Sequence, residues 1–184
     1  LLRENISAAL ERTRVCINSV VLWKENEFNP MHSSQYCIFL YFLANTIWNE
    51  SGDIEAATEL FSLNKALNGI DLFYEIEMPS KFFIGHSVGI VFAKANYSDY
   101  LAVYQNSTVG KNHGVAPEFE SGVIMYPNTA VIGRSLVKSG TILAQNTRII
   151  NRNTPGECIA FNSVGNDLVF KATGQTILQE IFRI

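Results

Sequence analysis

The chain has 184 residues, of which 47% are hydrophobic and 17% charged, with a net charge of −3. That length and apolar content give one large domain or two small ones with a real core, and exclude a disordered chain. The acidic balance, with no basic cluster, excludes the electrostatic footprint of a nucleic-acid binder, and no apolar run is long enough to span a bilayer.

The first 69 residues read as an α-helical N-terminal domain. Leu2, Ile6, Leu10, Ile17 and Val21 sit at near-helical spacing with Arg and Glu between them. Asn29-Pro30 breaks that pattern, and a second helix runs from Ser33 to Asn49, apolar on most of its circumference. Ser51-Gly52-Asp53 is a turn and cap signal before a third helix, Ile54 to Leu67, which Gly69 closes. The first twenty residues carry charges throughout, so no secretory leader is expected in them. The chain opens on Leu1 rather than Met, and part of its N-terminus is expected to be missing.

From Ile70 the texture turns β-branched and aromatic, and from Val91 to Asn153 it counts in sixes. Apolar residues fall at Val91, Tyr97, Val103 and Val109, then at Phe119, Met125, Val131, Val137, Leu143 and Ile149. Four residues after most of these stands a small or β-branched residue: Ala95, Ser107, Val123, Thr129, Ser135, Thr141 and Thr147. Helices repeat every 3.6 residues and strands every 2, so neither accounts for this period. It predicts a parallel β-helix over residues 70–157, with three short faces per turn, each turning one aliphatic and one small residue inward. Phe82-Phe83-Ile84 and Gly89-Ile90-Val91-Phe92 open the coil. Gly110 to Glu118 interrupts the sixes and is expected to extrude as a functional loop. Residues 158–184 are expected to form closing strands and a C-terminal helix from Thr173, capping the end of the coil opposite the helical domain.

Chemistry has few candidate carriers. Cys16, Cys37 and Cys158 are odd in number and widely spaced, which fits buried thiols in a reducing, cytoplasmic setting and neither a disulfide frame nor a zinc site. Three histidines are present: His32, His86 and His113. His86 stands in Ile84-Gly85-His86-Ser87-Val88-Gly89, where the coil begins, and Asp71 lies nearly one coil earlier. Stacked on a solenoid, such a carboxylate could hold one ring nitrogen and free the other to accept a proton; a satisfied core histidine is the plainer alternative. His32 reads as a helix-start residue, or as one lining an acceptor pocket from the helical block. Three histidines on adjoining faces, the requirement of a zinc-dependent coil enzyme, are not offered by this spacing, and no metal is expected.

Gly69-Ile70-Asp71, Gly85-His86-Ser87-Val88-Gly89-Ile90-Val91 and Gln105-Asn106-Ser107-Thr108-Val109-Gly110 together resemble the serine acetyltransferase branch of the hexapeptide acyltransferases. The resemblance covers most of the chain, including the helical block in outline. It implies a left-handed parallel β-helix, a homotrimer (or a dimer of trimers through the helical domain) and acetyl-CoA as acyl donor in a groove between subunits. It also implies that His86 is the general base and Asp71 its orienting partner. Gln105 and His113 are the acceptor-side candidates, and Gly110, Thr129 and Ala144 the positions along which the donor's arm would lie. Where that family carries charges for an amino-acid acceptor, this chain has Phe73-Tyr74, Gly85 and the short neutral run Gly114-Val115-Ala116-Pro117. A desolvated carboxylate and ammonium each need a partner. The resulting expectation is an O-acetyltransferase acting on a hydroxyl of a small acceptor, a sugar of a surface-polysaccharide pathway. The alternatives are a serine O-acetyltransferase of cysteine biosynthesis and a non-catalytic trimeric scaffold.

Overall fold

A computed structural model of the chain describes residues 2–173 and 177–184. Helices come first: α1 (Leu2–Ser19), α2 (Ser33–Ser51) and α3 (Ile54–Asn68). The Asp53 carboxylate caps α3 by accepting a hydrogen bond from the Ala56 N–H at 3.0 Å. Gly52 and Gly69 close α2 and α3 at φ +64° and +63°, a left-handed conformation that penalises a residue bearing Cβ. α2 is apolar nearly all round because it lies between α1 and α3, with Tyr41 and Phe42 set edge-on against Phe82 of the first coil. Polar side chains on α2 also hold the segment that links helices to coil. The Tyr41 hydroxyl donates to the Ile76 carbonyl at 2.5 Å and accepts from the Met78 N–H at 3.0 Å, and the Asn45 amide donates to the Tyr74 carbonyl at 2.7 Å.

The chain then winds into a left-handed parallel β-helix of three faces. The first face stacks β1 (Phe82–Ile84), β4 (Leu101–Val103), β7 (Ile124–Met125), β10 (Thr141–Leu143) and β12 (Cys158–Asn162). The second stacks β2 (Val91–Phe92), β5 (Thr108–Gly110), β8 (Ala130–Ile132) and β11 (Arg148–Ile150). The third stacks β3 (Asn96–Tyr97), β6 (Glu118–Phe119) and β9 (Leu136–Val137). The period of six is the spacing from one face to the next. It lines up three inward columns: Ile84–Val103–Met125–Leu143–Ala160, Phe92–Val109–Val131–Ile149 and Tyr97–Phe119–Val137. Ser107, Val123, Thr129, Ser135, Thr141 and Thr147 fill the inner corners and are buried. Their hydroxyls are satisfied there: Ser107 bonds Thr129 at 3.0 Å, Thr141 bonds Thr154 at 2.8 Å, and Thr147 donates to the Ala160 carbonyl at 3.1 Å.

Val91 departs from the expected pattern. It is 41% exposed and pairs with Thr108 on the outer surface, while Phe92 takes the inward place opposite Val109. Side chains alternate along a strand, so one residue of slip changes face. The slip arises between β2 and β3, because the inward residues Phe92 and Tyr97 are five apart where Tyr97 to Val103 and Val103 to Val109 are six. The corner before β2 differs in another way, being two residues longer than the one above it. Ile84 is six residues short of β2, whereas Val103 is four short of β5. The two extra residues are His86 and Ser87, since Gly85 takes its register from Val103 and the next layer resumes at Val88, which accepts from Asn106.

After β12 the chain turns back as β13 (Leu168–Ala172), antiparallel to β12, and ends through α4 (Leu178–Ile181). Residues 174–176 of the expected terminal helix lie outside the described residues. This segment does not cap the far end of the coil, as the sequence suggested. It returns to the helical block, where Phe182 bridges Val20 and is buried against the Tyr100 ring. One continuous core joins Ala9 of α1, the coil interior and Phe182. Among the described residues no helix is long and apolar enough to cross a membrane.

Leu143 is 0% exposed between Met125 and Ala160 in its column. Leu143→Ala is expected to lower the unfolding free energy in urea by about 2–5 kcal/mol. Asn128 holds a corner at φ +62°, so Asn128→Gly should change stability by no more than about 0.5 kcal/mol.

Candidate active site

The corner between the first and second faces is built from residues that tolerate left-handed backbone. Gly89, Asn106, Asn128 and Asn146 stack there at φ +75°, +58°, +62° and +66°. Gly69 underlies them, accepting from the Gly89 N–H at 2.9 Å, and the Ser87 hydroxyl donates to the Asn68 carbonyl at 2.7 Å. The extra pair His86-Ser87 is thereby anchored by its serine, and the histidine is pushed outward. His86 is exposed and makes no hydrogen bond among the described residues. Its imidazole is free for a ligand.

Asp71 joins the second face one layer below, bridging Val91 in parallel, and so belongs to the same corner as His86. No hydrogen bond joins the two. The Asp71 carboxylate is held by Lys65 of α3 at 2.6 Å, so the expected orienting bond to His86 is not formed here. Gln105 sits in the layer above His86, half-buried, with its side-chain oxygen Oε1 buried and without a hydrogen-bond partner among the described residues. An acceptor with nothing to accept from is costly and fits a position that meets a ligand.

The remaining candidates are dispersed. Thr129 is 1% exposed and hydrogen-bonded inside the coil to Ser107, so it cannot line an outer groove; small residues at this period serve the inner corner. Gly110 is half-buried on the outer surface of the second face, and Ala144 half-buried where the first face ends. The extruded loop exists, pinched into a tight hairpin by paired bonds between Asn112 and Val115. His113 is exposed at its tip at φ +48°, beside a cleft of roughly 310 Å³ lined by Asn112, Val115, Arg134 and Asn151. That loop leaves the opposite edge of the second face, so a single chain does not bring His113 to His86.

Other residues shape the His86 corner, and of these Tyr104, Ser34, Trp23 and Phe83 went unnoticed as site residues in the sequence. A Cβ at Gly85 would stand 2.4 Å from the Tyr104 ring, which occupies that space. Tyr104 stacks on Tyr126 at 5.4 Å between centroids and meets Phe83 edge-on at 5.8 Å. Burial pushes the Tyr104 hydroxyl's pKa up. From the helical block, the Ser34 hydroxyl donates to the Gly85 carbonyl at 3.2 Å. His32 is the N-cap of α2, and its ring lies edge-on to Trp23, which packs on Phe83. Two residues hinted at this arrangement in the sequence: Gly85, a glycine where the resemblance leads one to expect an aspartate, and His32, read as an alternative pocket-lining residue from the helical block.

The second face continues from this corner through the small outer residues Thr108 and Ala130 to Arg148, while Gly110 beside them leads to Ile132 and Ile150. Arg148 and Arg152 flank a cleft of roughly 330 Å³ with Asn162, Asn166 and the carboxylate-bearing Asp167, and among the described residues neither guanidinium comes within ion-pair distance of a carboxylate. Strands about 4.8 Å apart put Arg148 roughly 14 Å along the axis from Val91. Among the described residues no group of three His, Cys, Asp or Glu side chains could hold a metal ion.

No protein-family description matches the chain, and neither does any curated sequence. Solved structures do. Serine acetyltransferase from Brucella abortus strain S19 superimposes at TM-score 0.77 and 18% identity over 94% of this chain and 76% of that one. Serine acetyltransferase isoform 3 of Entamoeba histolytica, in complex with cysteine, gives TM-score 0.66 and 20% identity over 96% of this chain and 62% of that one. A serine acetyltransferase in complex with CoA gives TM-score 0.66 and 15% identity over 91% and 70%. The chain is therefore similar in fold, helices included, to the serine acetyltransferases.

Cys16 and Cys37 are 0% exposed, and burial pushes both thiols up to about 12; Cys158 is buried as well. At mildly alkaline pH all three should stay protonated and shielded. A disulfide exchange reagent is expected to titrate no thiol of the native protein within minutes, and all three once urea unfolds it.

Proposed function

We propose that the protein is an acetyl-CoA-dependent O-acetyltransferase in which His86 is the general base. The observation that carries this reading is the exposed, unpaired imidazole on a two-residue corner extension, in a fold shared with serine acetyltransferases. His86 would take the proton of an acceptor hydroxyl as that oxygen attacks the thioester carbonyl. The carbon–sulfur bond then breaks, and the CoA sulfur leaves with the proton that His86 returns. Direct transfer suits a chain whose cysteines are buried and protonated. Gly110 and Ala144 would border the donor's arm, and the unpaired Arg148 and Arg152 suit the phosphates at its far end.

Serine is the acceptor that the comparisons support, because the similar structures described above are named for it. One observation favours the second reading, a sugar acceptor. Tyr104 fills the space over Gly85, so an aromatic ring stands there where an ammonium would need a carboxylate, and the Asp71 carboxylate of the same corner is already held by Lys65. A homotrimer in the cytoplasm completes the proposal. Neighbouring copies packed on the second face would bring the loop of one, with His113, toward the His86 corner of the next.

Release of free thiol from acetyl-CoA tests the assignment directly. Saturable turnover with L-serine is expected, and His86→Ala should reduce it by about 10²–10⁴-fold with the fold intact. Undiminished turnover in that variant removes His86 from the reaction. Saturation with nucleotide sugars or oligosaccharides, and none with serine, replaces the first acceptor with the second. Asp71→Asn should cost less than His86→Ala, because Lys65 rather than His86 holds the carboxylate.

A further inference from the structure

The end of the chain is tied to the helical block by one side chain. α1 has no basic residue in its last turn, so its closing carbonyls lack a local cation. Arg183 supplies it from the other end of the sequence. Its guanidinium donates to the carbonyls of Asn18 at 3.1 Å, Val20 at 2.5 Å, Val21 at 3.3 Å and Trp23 at 2.7 Å, and Glu25 lies 3.4 Å away. Backbone bonds flank this grip: Arg183 N–H to the Ser19 carbonyl and Val21 N–H to the Ile181 carbonyl, each at 2.8 Å. A planar fork with five donors can hold several carbonyls at once where an ammonium cannot.

What Arg183 grips is the start of the α1–α2 connection, and that connection packs through Trp23 on Phe83 of β1, the strand that leads into the His86 corner. Trp23, only 6% exposed, is the last residue whose carbonyl it holds. The indole is wedged between the His32 ring, at 5.6 Å, and Phe83, at 5.4 Å. Two residues beyond each, Ser34 bonds the carbonyl of Gly85, next to His86. We infer that Arg183 is a positioning residue for the acceptor side of the site, setting the place of Trp23, His32 and the start of α2 over Gly85-His86. It touches no reactant and acts through Trp23. The kinetic part of this inference rests on the proposed acetyl transfer; the structural part does not.

Two measurements on the full chain separate them. In the three-histidine side-chain NMR spectrum, Arg183→Ala should shift the His32 ring signals and leave those of His113, in the distant loop, in place. In the thiol-release assay with L-serine, the same variant should raise the acceptor KM between about tenfold and a hundredfold while the acetyl-CoA KM stays within about twofold. Arg183→Lys should recover part of both effects, and it carries the same readouts if Arg183→Ala does not fold. Unmoved His32 signals overturn the inference whatever the enzyme's activity. A loss of turnover with both KM values unchanged overturns it too, because that reduces Arg183 to a stabiliser. If no acetyl transfer is found but the His32 signals move, the positioning stands and the assigned reaction falls.

Discussion

Everything in this molecule is set by stacking parallel strands directly over one another, about 4.8 Å apart, around three corners. Stacking forces like onto like. An inward residue must match the inward residues above and below it, which is why Val103, Met125 and Leu143 form one column and Val109, Val131 and Ile149 another. It also forces each corner to turn within a residue or two, which needs left-handed backbone. At the corner nearest His86 this falls to Gly89 and then to three asparagines, the side chain that best tolerates that region after glycine. Since each layer is fixed by its neighbours, a surplus pair must loop out of the winding, and here its serine anchors the loop while its histidine faces outward.

The surplus is small and placed where chemistry would need it. Two residues at one corner expel His86, and a longer run at another makes the hairpin carrying His113. The regular layers act as a rigid frame, and the departures from regularity carry the reactive groups. The helical block contributes by pressing the start of α2 onto the first departure, through Ser34 and the Trp23–His32–Phe83 cluster.

How far the sequence could be read follows from the same constraint. The columns were legible because each repeats one chemical preference every six residues, and the helix ends because Asp53, Gly52 and Gly69 obey local rules. Val91 was misassigned because the step from Phe92 to Tyr97 is one residue shorter than the period of six, and period counting cannot see a slip that keeps an apolar residue in view. Thr129 was taken for an outer residue although its period already placed it inside with Ser107. The Tyr104 ring over Gly85 was invisible, since it depends on which residues meet between adjacent layers. So was the reach of Arg183 to α1, a contact spanning almost the whole chain, which no local pattern encodes.

The faces of the coil end at unequal heights: the first sheet carries six strands, the second four and the third three. The uppermost strand of the tallest, β13, runs against the others. A level rim of unpaired backbone would invite another molecule to continue the winding, rung upon rung, into a fibre. Here the rim is a flight of steps, and its topmost tread points the wrong way for a further rung. The coil thus stops growing by geometry rather than by a lid, which frees the last residues of the chain to travel back to the helices at the other end.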